Sequence, residues 1–307
     1  MLLPKPLTKN STIGLICPGG GFDDYKPIKR VIKYLKQKGY KVKVGRSLVC
    51  PKKDYKYLSG SDTLRLKDFH SFCSDKNIDA IFCLRGGYGS LRLLNLIDYD
   101  LVKKSKKIIV GFSDISTLLC AIYAKTKLIT IHGPLLGIDF LQSDLKPADK
   151  QAEKYLWDIL SGKKLDFKYS KNQNSKLIYP GQTKGILLGG NLSCICSLLG
   201  SKYLPDFSNS ILILEECNEE PYKIDRMLTQ LDNAAVFKKV KGIIFGSFYK
   251  CKFKSQSQII QLLKSKISKY KIPSVYGFPL GHGKRNYPVP FGIPAYFDAE
   301  AAILKSI

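Results

Sequence analysis

The sequence predicts an α/β protein, with a parallel sheet covered on both faces over roughly the first 140 residues and a smaller α/β domain after it. Three observations predict this. Strand patterns alternate with helical ones. Most strand runs are continuously apolar rather than alternating, as in sheets buried on both sides. Glycine-bearing turns follow the strand ends, where open α/β sheets place their sites. A length of 307 residues suggests about two domains. The boundaries expected are 1–145 for the first, 146–180 for a connecting helix and linker, and 181–307 for the second.

The elements follow in order. S-T-I-G-L-I-C-P reads as the first strand and G-G-G-F-D-D as a loop, with a helix over 27–38 stopped by Gly39. K-V-K-V is a short strand. Ser61 is placed to cap a helix carrying Leu64, Phe69 and Phe72. D-A-I-F-C-L is a buried strand ending in R-G-G-Y-G (85–89), and S-L-R-L-L-N-L-I is the next helix. K-I-I-V-G-F, a helix after Ser113, and L-I-T-I-H-G-P complete the first series. A helix over 147–160 leads into the polar run K-Y-S-K-N-Q-N-S-K, read as a linker. The second half offers the strands K-G-I-L-L-G, S-I-L-I-L-E-E, K-G-I-I-F-G-S-F, S-V-Y-G-F-P-L-G and I-P-A-Y-F-D, with helices at 221–232 and 256–269. Its sheet is expected to be mixed or barrel-like.

Composition narrows the function classes. The net charge of +25 rests on 50 basic residues, of which only seven are arginine. The lysines are spread along the chain instead of clustered, so a solvated basic surface is expected rather than a nucleic-acid reader. No apolar run is long enough for a membrane span, and M-L-L-P-K-P-L-T-K-N lacks the apolar core of a signal peptide, so a cytoplasmic protein is expected. Nine cysteines include no C-x-x-C pair, and Cys194 and Cys196 have no histidine at ligand spacing. Reduced thiols, with neither a disulfide framework nor structural zinc, are the expectation.

Four groups carry chemistry: R-G-G-Y-G, G-F-S-D (111–114), L-E-E (214–216) and L-G-H-G (280–283). Ser113 stands where an apolar strand breaks into a helix, with Gly111 two residues before it. That is the placement of a hydrolase nucleophile, with the Asp114 N–H free to hold an oxyanion. Spacing alone favours the commoner role of N-cap for a helix beginning at Asp114, which a nucleophile can also fill. A serine nucleophile needs a base and an acid to orient it. Among three histidines, His70 lies in a polar helix, His132 ends a strand, and His282 sits between two glycines in a loop. His132 and His282 both qualify as base. Glu215 and Glu216 follow a run expected to be buried, where an acid is either a site group or a charged strand end. Gly19-x-Gly21 is followed by Asp24 where a dinucleotide fingerprint needs its third glycine, so that reading fails.

Taken in order, G-L-I-C-P-G-G, R-G-G-Y-G, G-F-S-D-I-S, I-H-G-P, L-E-E-C-N-E-E-P-Y-K-I-D-R-M-L and F-P-L-G-H-G resemble the LD-carboxypeptidases of peptidase family S66. That family includes muramoyltetrapeptide carboxypeptidases and microcin C self-immunity peptidases. The resemblance implies a flavodoxin-like N-terminal domain bearing the serine and a C-terminal domain bearing the glutamate and histidine, in a homodimer without metal or organic cofactor. It places a Ser-Glu-His triad on Ser113, Glu215 and His282, with Glu216 adjacent as the rival acid. With that triad, the backbone N–H groups of Asp114 and Gly87 are expected to hold the oxyanion, and by position alone Arg85 or Arg285 is expected to supply a fork for the substrate carboxylate. The implied substrate is a murein tetrapeptide losing its terminal D-alanine. An aminoacyl-nucleotide amide is the alternative within the family, and a non-enzymatic binding protein the alternative outside it.

Overall fold

The computed structural model describes residues 1–49, 57–141, 149–168, 175–283 and 285–307. Its strands are β1 (Thr12–Ile16), β2 (Lys41–Val44), β3 (Ala80–Cys83), β4 (Ile108–Gly111), β5 (Thr130–His132), β6 (Asp166–Lys168), β7 (Lys176–Tyr179), β8 (Gln182–Asn191), β9 (Ser210–Cys217), β10 (Gly242–Tyr249), β11 (Ser274–Tyr276), β12 (Val289–Phe291), β13 (Pro294–Asp298) and β14 (Ile303–Ser306). The helices are α1 (Lys26–Gln37), α2 (Asp62–Ser74), α3 (Ser90–Leu93), α4 (Tyr99–Ser105), α5 (Ile115–Thr126), α6 (Lys150–Leu160), α7 (Leu192–Leu198), α8 (Pro221–Asn233), α9 (Val236–Lys239) and α10 (Gln256–Ile267).

The first sheet runs β12-β5-β4-β3-β1-β2. Strands β1 to β5 are parallel in the order 2-1-3-4-5, the flavodoxin order, so the chain reverses direction across the sheet between β1 and β3. β12, from the far end of the chain, closes this sheet antiparallel to β5. The second sheet runs β6-β14-β13-β8-β9-β10-β11-β7 and is mixed. Its centre, β8 to β11, is parallel, and antiparallel strands flank it on both sides. Expected and observed classes agree.

Helix α5 is the element that joins the sheets. It is buried along nearly its whole length because both sheets pack on it. Cys120 Sγ donates to the Gly189 carbonyl at 3.2 Å, and Ser116 Oγ accepts from the Asn191 N–H at 3.3 Å, tying α5 to β8. The start of α5 is thereby set against the carboxyl end of β9. A separate apolar cluster covers the other face of the first sheet under α1 and α6.

The sequence reading needs correction in places. The helix expected over 90–97 is one turn long, and a second helix, α4, follows it. Asp98 causes the break, since its extended backbone and its Oδ1, which accepts from the Leu101 N–H at 2.9 Å, start a new helix there. The strand expected from Ser274 to Gly281 ends at Tyr276. Gly277, at φ 80°, turns the chain out of the sheet toward His282. The expected connection supplies α6, β6 and β7, while most of its polar run (169–174) lies outside the described residues. Eight cysteines are free thiols; Cys50 lies outside the described residues. Among the described residues, no helix is long and apolar enough to cross a membrane, and no group of three His, Cys, Asp or Glu side chains is disposed to hold a metal ion.

Candidate active site

The serine side is built from the main chain. Ser113 follows β4 at φ 62°, a left-handed conformation that is uncommon outside glycine and costs on the order of 1–3 kcal/mol. It is not the cap of a helix starting at Asp114. The helix starts at Ile115, Asp114 occupies the cap position without a side-chain cap bond, and the Ser113 hydroxyl faces His282 instead. Asp114 is buried, which raises its carboxyl pKa, and its Oδ2 accepts from the Ser90 N–H at 3.0 Å. Ser90 Oγ returns a bond to the Asp114 carbonyl at 2.6 Å. The R-G-G-Y-G loop is thus tied to the serine turn. At Gly86 a Cβ would lie 2.8 Å from Ser113 Cβ, so only glycine fits that approach.

The acid–base side is built from side chains. The run I-L-I-L carries β9 through the core and delivers Glu215 fully buried at its end. Glu215 Oε2 lies 2.6 Å from His282 Nδ1 and accepts from the His282 N–H at 3.0 Å. His282 Nε2 lies 3.1 Å from Ser113 Oγ. With Nδ1–H directed at the carboxylate, the Nε2 lone pair faces the serine proton. Gly281, at φ 101°, lets the loop descend onto Glu215, where a Cβ would sit 2.9 Å from Oε2. Phe112 packs on the imidazole at 4.5 Å between ring centroids. Burial opposes the charge of the His282 ring. Cys217 and the hydrogen-bonded, charged Glu215 outweigh it and raise the pKa from 6.5 to about 10.

The rival residues have other occupations. Glu216 points the opposite way along β9 and accepts from Asn191 Nδ2, the Ser193 N–H and the Cys217 N–H at 2.8–2.9 Å. It fastens α7 to the sheet, and its pKa is raised by burial. His132 is fully buried between Phe112 and Phe291. Burial lowers its pKa to about 4, and among the described residues its ring nitrogens have no hydrogen-bond partner. It lies outside the Ser113–His282–Glu215 chain. His70 is half-buried, and its Nε2 accepts from the Asp98 N–H at 3.0 Å.

Of the remaining expected residues, Asp114 adjoins the serine, and Gly87, Arg85 and Arg285 have contacts of their own. The Asp114 N–H has no acceptor among the described residues, as an oxyanion donor requires. Gly87, exposed at φ 83°, backs onto Gly20. Arg85 donates to the Gly21 carbonyl and lies over Phe22. Arg285 is half exposed, its Nε 3.7 Å from Asp149 Oδ2. The sequence reading missed Cys194, whose thiol reaches the Ser113 carbonyl at 3.6 Å, and Cys217, which helps raise the His282 pKa. The i, i+2 spacing of Glu215 and Cys217 on one strand face was the available signal.

Comparison with known proteins agrees over most of the chain. Residues 13–133 match the LD-carboxypeptidase N-terminal domain and residues 184–297 the LD-carboxypeptidase C-terminal domain. A probable murein peptide carboxypeptidase of Bacillus subtilis is 35% identical over 95% of this chain and 90% of its own. The microcin C7 self-immunity protein MccF of Escherichia coli is 29% identical over 97% and 93% of the two chains. The wild-type apo structure of MccF superposes with a TM-score of 0.88 at 26% identity, covering 100% and 98%. The muramoyltetrapeptide carboxypeptidase of Oxalobacter formigenes superposes with a TM-score of 0.83 at 28% identity, covering 96% and 97%. The non-enzymatic reading falls away, and the chain belongs to the LD-carboxypeptidase family, peptidase family S66, as a serine carboxypeptidase.

Proposed function

We propose that the chain hydrolyses the bond between the L-centre of a diamino acid and the terminal D-alanine of a murein tetrapeptide. The supporting observation is the continuous chain Ser113 Oγ–His282 Nε2–Glu215 Oε2, at 3.1 Å and, through Nδ1, 2.6 Å. The relatives named for murein peptides supply the substrate class. In this reading residues 1–145 carry the nucleophile, 181–307 carry the base and acid, and 146–180 connect them.

The chemistry follows from the parts. His282 Nε2 takes the Ser113 proton as Oγ bonds to the scissile carbonyl carbon, and Glu215 stabilises the imidazolium formed. The carbonyl π electrons move onto oxygen, which the N–H groups of Asp114 and Gly87 hold. Collapse breaks the C–N bond as His282 returns its proton to the leaving amine of D-alanine, leaving an acyl-serine. Water, deprotonated by the same imidazole, then releases the shortened peptide. The free carboxylate of D-alanine needs a cation. Arg285, three residues from His282 and only loosely held by Asp149, suits this better than Arg85, which is committed to Gly21.

A second reading, cleavage of an aminoacyl-nucleotide amide, draws on Tyr57 and Tyr88. These exposed rings, Tyr88 being the tyrosine of R-G-G-Y-G, stand 5.7 Å apart, a surface on which a base would stack. Mass spectrometry of the purified protein with murein tetrapeptide and, separately, with an aminoacyl sulfamoyl adenosine distinguishes the two. Loss of one D-alanine supports the first, and cleavage of the nucleotide alone replaces it with the second. A cytoplasmic homodimer completes the proposal, and light scattering of the purified protein at one protomer mass would remove the dimer.

A further inference from the structure

Arg65 is a fully buried arginine on α2, in a helix whose sequence gives it no evident role. Its guanidinium reaches three separate turns. Nη1 donates to the Pro18 carbonyl after β1 and to the Gly89 carbonyl, at 2.9 Å, at the end of the R-G-G-Y-G loop. Nε donates to the Gly60 carbonyl at 3.2 Å, and Nη2 pairs with Asp62. Asp62 also holds Arg92 of α3, so the ion pair spans both ends of the turn. A buried charge is tolerable only when fully partnered, and here planar N–H groups meet convergent carbonyls.

What Arg65 holds leads directly to the nucleophile. The loops after β1 and β3 flank the point where the sheet order reverses. They touch through the Gly20 N–H to the Gly86 carbonyl at 2.7 Å, and Ser59 adds a bond from its N–H to the Gly19 carbonyl at 3.1 Å. Gly89 precedes Ser90, whose N–H and Oγ both bind Asp114, the neighbour of Ser113. The segment 85–89 is therefore fixed at its start by Gly20 and at its end by Arg65. A Cβ at Gly89 would stand 3.0 Å from Nη1, so the fit leaves no slack.

We propose that Arg65 is a positioning residue for the reaction, clamping the loops after β1 and β3 together and thereby fixing the Gly86–Gly87 backbone against Ser113. It touches neither substrate nor reacting atoms. The inference rests on the reading of Ser113 as nucleophile. Misplacement of such a site by about 1 Å costs on the order of 10²-fold in rate.

The test uses the full chain with Arg65→Lys, which keeps the charge but not the fork, and Asp62→Asn, which leaves Arg65 in place and removes its anion. Amide hydrogen exchange over 85–90 is expected to quicken in both, with that of α5 unchanged. For Arg65→Lys kcat is expected to fall about 10²-fold with KM little altered, and for Asp62→Asn less. Unchanged exchange in both variants overturns the clamp, and faster exchange with a wild-type kcat overturns its role in the reaction. Ser113→Ala keeps the two readings separable. If it remains active the nucleophile assignment fails, while exchange over 85–90 in the Arg65 variant still reports on the clamp.

Discussion

On the Ser113 side of the cleft, positions are set by the main chain: a left-handed serine, a glycine pressed on its Cβ, and loops clamped by carbonyl contacts. On the His282 side they are set by one buried carboxylate that binds both the ring and the backbone of the histidine. The first arrangement is mainly steric, with the buried Asp114 carboxyl as its one titratable tie to the serine turn. The second is electrostatic and changes with proton concentration. A single site therefore has two separate ways to fail, and substitutions can tell them apart.

The largest effect belongs to the atom where the two sides meet. Ser113→Ala is expected to lower kcat by about 10⁶-fold with the fold retained, measured as D-alanine release beside a melting curve. Next, Glu215→Gln attacks the electrostatic side alone and is expected to cost about 10⁴-fold. It also has a pH signature. His282 acts as a base only when neutral, and its raised pKa means that kcat/KM climbs as pH rises toward about 10. Removing the Glu215 charge destabilises the imidazolium, so the limb moves down toward 6.5. By the same sign, the stability contributed by the charged pair is present below the unfolded histidine pKa and lost as pH rises through about 10. A pH–rate profile of Glu215→Gln matching the wild type would end the comparison drawn here.

Gly86→Ala attacks the steric side alone. The new Cβ must displace Ser113, and a loss of about 10²–10³-fold is expected without movement of the pH limb. A shifted limb would show the two sides to be coupled. The smallest effect is expected at His132, where Phe keeps the ring packing with Phe112 and Phe291 and activity stays close to wild type. A fall equal to that of His282→Ala would reassign the base.

Much of the first sheet was legible because β1, β3 and β4 are continuously apolar and end at glycine-bearing turns. The centre of the second sheet, β9 and β10, was legible for the same reason. What escaped depends on distant partners. β12 is three residues long and reads as a loop until β5 is beside it. Asp98 broke a helix that its leucines alone would extend. Nothing local separates Glu215 from Glu216. Their roles diverge because Asn191 and Ser193, contributed by another strand and helix, satisfy only the second. Arg65 looks like a solvated helix residue until the Pro18 and Gly89 carbonyls, from remote turns, join that of nearby Gly60 around it.

The pairing of β12 with β5 also bears on synthesis. During translation the first sheet lacks an edge strand until residues near 290 have emerged, by which point His282 has emerged as well. Domains of growing chains generally fold as units, N-terminal first. The strand that completes the first sheet follows His282 in the chain, so a nascent chain holds Ser113 without its relay.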